Sequence, residues 1–462
     1  MTYRLNIKKI HEAFSIKSGK SVKHNPKIGI DFLPYTTKKK GVNYQPDFIE
    51  VMGEFSRLVE CKASAGRIDI DSFFEQILGR VDLEEGATLS DFKKLLKTLF
   101  FSEERLHLFH PKVLSYMETI ESENKKLALF LYQVLNASLV SMHGSRNHEP
   151  KDVLTRLVFD SLPQLQDGKK EDIKYQCVVP EVSDLFAYDF NWLSKNPQLF
   201  VESIGRLLTY YYFFYVTQFA LHCFEMFQLE QSIVPVYFTL DWENLSQSRV
   251  GYERGWNHIE KVVSDLFSHV NTLKMLSLTD STSISLLSYQ DIKKQIDDLY
   301  PDEREELYGQ LNRVLNDYKE TVTDVRWEEV VLSHANHQDK LLDKISEIHK
   351  IIRYQFKKTR RKSEDQNYYR WFTQFCGGVF LKNRGRLGKA LNLNADYLLF
   401  LTKLIMKDEP RIRLVTLFEE FKRRGIIFDR DSEQALIEYF EGINILVKKS
   451  DSGDALYVKS FL

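Results

Sequence analysis

The apolar positions of this chain repeat at helical spacing most clearly near its end. Leu398, Leu401 and Ile405 form one series, and Leu414, Leu417, Phe418 and Phe421 a second, which predicts two helices. Between them lies Lys407-Asp-Glu-Pro-Arg411: Pro410 ends the first helix, and Gly425, after Arg423-Arg424, closes the second. A third helix is predicted from Asp431-Ser432, whose side chains can accept orphan N–H groups, to Gly442. Two strands, 444–449 and 455–460, then flank the turn signal Asp451-Ser-Gly-Asp454. Three helices and a two-stranded wing predict a winged helix over 390–462.

Earlier in the chain the period is mixed. Residues 27–33, 47–51 and 56–60 read as strands, with a turn at 38–41. From Asp71 onward helical spacing returns through Phe73, Phe74 and Ile77, then Phe92, Leu95, Leu96 and Leu99, then 127–140. Residues 207–227 are long and aromatic enough to cross a bilayer, yet Gln218, His222 and Glu225 interrupt them, so a buried central helix is expected. Residues 233–240 read as a short strand, and 292–353 as a charged helical hairpin broken at Pro301. The predicted fold is mainly α, with a smaller α/β N-terminal part and the C-terminal winged helix. Three domains follow: a mixed α/β one over 1–165, a central helical one with short strands and a basic tract over 166–389, and the winged helix over 390–462.

Charge changes this picture. The whole chain of 462 residues is close to neutral, at −1, but between Arg353 and Lys389 eleven Lys and Arg residues face only Glu364 and Asp365. A polyanion would be drawn to that segment. Arg353, Lys357, Lys358, Arg360, Arg361, Lys362, Arg384, Arg386 and Lys389 are the candidate phosphate contacts, with Lys448 and Lys449 of the wing. Tyr354, Phe356, Tyr368, Tyr369, Trp371 and Phe372 are interleaved with them and could stack on unpaired bases. The third C-terminal helix has the opposite character: it carries Asp431, Glu433, Glu438 and Glu441 and no cation between 431 and 442, so a DNA groove would repel it. Protein docking suits that helix better.

Catalytic signals are sparse. Pro46-Asp47 followed by Glu60-Cys61-Lys62 has the spacing of a metal-dependent nuclease centre, in which two carboxylates hold Mg²⁺ beside a lysine. Pro301-Asp302 with Asp317-Tyr-Lys319 repeats that spacing in a helical segment, which shows how loose the pattern is. Ser18-Gly-Lys-Ser21 ends like a phosphate loop, but Phe14 stands where its first glycine belongs. The pairs His107/His110, His143/His148 and His334/His337 lack the companion pairs of a zinc finger. No metal or other cofactor is expected. Four scattered cysteines and a start without an apolar core predict a cytoplasmic protein that does not enter a membrane.

Three stretches together resemble a known family. They are Asp241-Trp-Glu-Asn-Leu-Ser-Gln-Ser-Arg249 with Gly255-Trp256, Leu33-Pro-Tyr-Thr-Thr-Lys-Lys39 with Gly53-Glu-Phe-Ser-Arg57, and the ending from Lys448 to Val458. They look like DptG, also called DndG, the middle component of the bacterial restriction system that depends on DNA phosphorothioation. The resemblance implies a non-enzymatic DNA-binding and scaffolding subunit for phage defence. Its partners would be DptF- and DptH-like ATPase and helicase subunits, and its target DNA that lacks the sulfur mark. It transfers no catalytic residue. A metal-dependent nuclease using Asp47, Glu60 and Lys62, and an adaptor that binds only protein, are the alternatives.

Overall fold

The computed structural model describes residues 3–38, 44–66, 68–81, 88–102, 105–140, 152–330, 339–448 and 456–461. Among them helices dominate and the sheets are small. The elements that matter below are, in order, α1 (Phe48–Glu60), α2 (Ser122–Val134), α3 (Pro197–Glu225), β1 (Val236–Tyr237), β2 (Thr239–Leu240), α4 (Leu266–Leu276), α5 (Pro301–Thr321) and α6 (Lys340–Lys358). They are followed by α7 (Lys362–Val379), β3 (Leu381–Asn383), β4 (Lys389–Leu393), α8 (Ala395–Met406), β5 (Arg411–Arg413), α9 (Leu414–Arg423), β6 (Ile426–Ile427), α10 (Arg430–Gly442), β7 (Leu446–Lys448) and β8 (Leu456–Lys459).

Two compact units emerge, one of residues 1–45, 173–181 and 213–462, the other of 46–172 and 182–212. The expected three-part division followed composition along the chain, whereas these units follow contacts in space, and each is discontinuous in sequence. Helix α3 belongs to both: residues 197–212 lie in the smaller unit and 213–225 in the larger. It is the aromatic stretch, and Tyr210, Tyr211, Tyr212 and Tyr215 are buried in it. Gln218 serves the backbone of Val234, accepting from its N–H and donating to its carbonyl, each at 2.8 Å. No helix among the described residues is long and apolar enough to cross a membrane.

In the smaller unit the strands expected at 47–51 and 56–60 are one helix. Asp47 caps α1, its side chain accepting from the Ile49 N–H, and Val51, Met52 and Phe55 bury one face. Gly53, which falls where two such strands would turn, sits inside the helix, and segment 114–117 passes against it. A Cβ there would lie 2.7 Å from the Met117 carbonyl oxygen. The same segment is held by Arg57, which is buried and donates to the carbonyls of Ser115 and Met117, while buried Glu50 accepts from the amides of Ile120 and Glu121. The strand expected at 27–33, in the larger unit, is also missing; Asp31 makes an isolated bridge to Tyr175.

The larger unit is built on α4, whose every residue is buried and which packs against α6 and α7. Helices α5 and α6 pair as the expected hairpin, with Pro301 at the first turn of α5, where its missing N–H costs nothing. The strand expected at 233–240 forms as β1 and β2, and each takes a parallel partner from far along the chain: β1 pairs with β6 and β2 with β4.

After β4 the order is α8, β5, α9, β6, α10, β7 and β8. Strands β5, β8 and β7 form an antiparallel sheet with β8 in the middle. Asp429 caps α10, two residues before the expected start, accepting from the Ser432 amide. Gly425 follows α9 with φ +78°, and a Cβ there would come within 2.5 Å of the Phe214 ring of α3.

Candidate nucleic-acid interface

The basic tract is helical. Helix α6 buries Leu341, Ile345, Ile348, Ile352 and Phe356, which leaves Lys357 and Lys358 in its last turn, where the helix dipole favours cations. Three residues later α7 begins at Lys362.

Folding divides the cations into two groups. Arg353 and Lys357 both reach Asp265, at 2.5 and 3.5 Å. Arg361 pairs with Asp324 at 2.6 Å and also donates to Gln355. Arg384 donates to the carbonyls of Leu240 and Glu243 and to Asn392 Oδ1 at 2.5, 3.0 and 3.0 Å, so it serves as a clamp on β2 and its loop. Lys358, Arg360, Lys362, Arg370, Arg386 and Lys389 are exposed and form no ion pair among the described residues.

Two of these cations, Lys362 and Arg370, share one side of α7, and a third, Lys389 of β4, reaches its far end. Lys362, Arg370 and Gly377 fall within about 80° of one another around the helix and span about 22 Å along it. The Lys389 amine lies 3.9 Å from where a Gly377 Cβ would stand, which completes the line. Gly377 and the neighbouring Gly378 leave that end of the helix surface low and exposed. A row of cations at this spacing can follow a phosphate backbone.

The interleaved rings do not form a stacking platform, which corrects the expectation of unpaired bases. Phe356, Tyr368, Trp371 and Phe372 are buried, packed against Phe267, Tyr35 and Phe213 with ring centroids 4.8 to 5.8 Å apart. Tyr368, Trp371 and Phe372 follow the inner face of α7, and Phe356 that of α6. Tyr354 and Tyr369 are half-buried, and the Tyr354 hydroxyl donates to Glu329 at 3.3 Å.

Beneath the tract, burial and then the like charge of Asp265 push the Asp365 carboxyl up to about 7, while Lys357 and Arg353 pull it the other way. Asp365 Oδ1 is buried and accepts no hydrogen bond among the described residues.

Near the chain end, α10 exposes Asp431, Gln434, Glu438 and Glu441 along one stripe. Lys448 of β7 is exposed and lies 3.4 Å from Glu441, so part of its charge is spent there; Lys449 and the turn expected at 451–454 lie outside the described residues.

The stretch 241–249 has a structural job that its sequence did not reveal. Arg249 is nine-tenths buried and binds Glu243 at 3.3 Å, Asp431 at 3.3 Å and Asp429 more closely still, and donates to Ser432 at 2.7 Å. Burial alone would push the Asp429 carboxyl up, but hydrogen bonds from Arg249 and from the amides of Ser432 and Gly251 outweigh it and hold it below the usual range. Trp242 stacks on Tyr439 of α10, centroids 4.3 Å apart, and donates to the Ala435 carbonyl. Charged side chains so close in a short loop were the available signal. Their partners stand some 180 residues away.

Asp47, Glu60 and Lys62 do not converge. Asp47 and Glu60 stand at opposite ends of α1, about 20 Å apart along its axis. Ser115 donates to Glu60 at 2.8 Å, and Lys62 pairs with Asp167 at 2.6 Å. The nuclease reading required a hairpin to fold the two carboxylates together, and a helix separates them. Among the described residues no three His, Cys, Asp or Glu side chains gather as metal ligands would. His110 caps a 3₁₀ turn by accepting from the Lys112 amide; the pairs at 143/148 and 334/337 lie outside the described residues.

No family model matches this chain, and no curated protein matches it.

Proposed function

We propose that the chain is a non-enzymatic DNA-binding and scaffolding subunit of a DptF–DptG–DptH-type restriction complex, one that acts in the cytoplasm on invading DNA without phosphorothioate marks. The observation that carries the DNA-binding half is the line of exposed cations from Lys362 through Arg370 to Lys389, continued by Lys358 and Arg360 at the α6–α7 turn. Phosphate contacts supply most of the affinity of such proteins, and buried rings favour a duplex backbone over unstacked bases as the target. The resemblance to DptG carries the assignment to that complex, with ATPase and helicase-like work left to the partner subunits.

We read residues 390–462 as a winged helix, because three helices, α8, α9 and α10, accompany an antiparallel sheet of β5, β8 and β7 with the last strand central, while the short β6 pairs outside that sheet with β1. Its third helix is turned away from DNA by its own charge. The test is fluorescence anisotropy of a labelled, unmodified duplex of about 30 base pairs titrated with the protein at about 50 mM salt. Saturable binding that weakens steeply with salt is expected. No binding at low salt would leave an adaptor for protein partners, a reading favoured by the acidic stripe of α10.

A further inference from the structure

From the surface of α10 we infer a docking face for a Lys/Arg-rich segment of a partner protein. In the winged-helix reading this helix occupies the position that usually enters the major groove, and it presents its outer side to solvent. Asp431, Glu438 and Glu441 line that side with Gln434 between them, over about 15 Å. Lys448 offsets Glu441, and Arg249 is shared among Asp431 and two buried carboxylates, so the face stays net acidic.

The same face also carries apolar side chains. Trp242, stacked on Tyr439 beside the stripe, remains 39 % exposed, and Ile443 and Val447 at the far end are 39 % and 43 % exposed. An exposed indole beside carboxylates can hold a guanidinium over its ring face while the carboxylates accept its N–H groups. Two aliphatic side chains at the end of the stripe give the non-polar part of such a segment a place to bury. A duplex is excluded by repulsion. The fitting occupant is therefore a basic, partly apolar segment of a partner that covers about 15 Å of this face, roughly three turns if it is helical. This rests on the scaffold half of the proposed function and not on the DNA contact at α7.

The test uses the full chain and a labelled peptide of about 15 residues with arginines placed to face Asp431, Glu438 and Glu441. Binding is followed by anisotropy and by quenching of Trp242. The triple variant Asp431→Lys/Glu438→Lys/Glu441→Lys is expected to weaken the peptide by about tenfold or more, and Trp242→Ala by several-fold. The milder Glu438→Gln/Glu441→Gln keeps the helix and should give an intermediate loss. Duplex binding, measured on the same variants, should not fall, so failure of the docking face is separable from failure of DNA binding. Reversing Asp302 and Glu305 on α5 instead should leave the peptide unaffected. The inference is overturned if the α5 reversal weakens the peptide as much as the α10 reversal does. It is equally overturned if sedimentation shows a dimer of this chain that the triple variant abolishes.

Discussion

Replacing Lys362, Arg370 and Lys389 together by glutamine isolates the cations that folding leaves unpaired. Each phosphate contact contributes about 0.9 to the slope of log affinity against log salt, so losing three should flatten that slope by about 2.7. Between about 50 and about 200 mM salt one contact is worth roughly 3.5-fold, and three about 40-fold. The triple variant should thus lose most affinity at low salt and converge on the parent as salt rises. The matched control is Arg353→Gln/Arg361→Gln/Arg384→Gln, which removes the same formal charge from side chains already committed to Asp265, Asp324 and the β2 loop. This control should lower the urea midpoint, because Arg384 leaves buried carbonyls without donors, while barely changing the slope. Anisotropy across the salt series reads both variants. Equal flattening in the two would show that total charge, not its arrangement on α7, governs binding; no flattening in the first would remove DNA contact from α7 altogether.

Three further outcomes follow from the packing. Gly425→Ala should cost roughly 1–2 kcal/mol for its left-handed backbone and roughly 1–3 more for the collision with Phe214, measured by urea unfolding. In a Phe214→Leu background only the backbone share should remain, and an undiminished cost there would refute the collision. Arg249→Gln strands Glu243 and Asp429 in a buried setting and should destabilise by about 3 kcal/mol or more; a stability change within error in thermal unfolding would show the cluster to be dispensable. Burial foremost, and then nearby cations, push both His24 and His349 down to about 3. The folded state therefore keeps them neutral while the unfolded chain protonates them below about 6.5, so stability is full above that pH and falls by about 1.4 kcal/mol per pH unit for each as pH drops toward 3. Unfolding free energies at several pH values should show this slope, and His349→Phe should reduce it.

The end of the chain was legible because its boundaries are written locally. Pro410 cannot continue a helix, Gly425 can adopt a positive φ, and acidic and hydroxyl side chains near 429–432 can cap one. Helix α1 was not legible. Ile49, Val51 and Val59 favour strand, Gly53 imitates a turn, and the contact that places this glycine in a helix comes from residues 114–117. The basic tract was half legible: counting found the charge, but Asp265 and Asp324, which claim part of it, are distant in sequence. The rings of α7 misled for a related reason. Aromatic residues every three or four positions describe an inner helical face as well as a binding one, and only the arrival of Phe213, Phe267 and Tyr35 tells which.

Helix α3 contributes residues to both compact units, and each unit is drawn from separated pieces of the polypeptide. No single stop codon or protease site can therefore deliver either one intact. A deletion series made to find a minimal fragment will disrupt folding wherever it cuts between 46 and 212, and such losses will say nothing about the proposed DNA contact. Point substitutions on the surfaces of α7 and α10 are the way to test the proposed DNA contact and the proposed docking face separately.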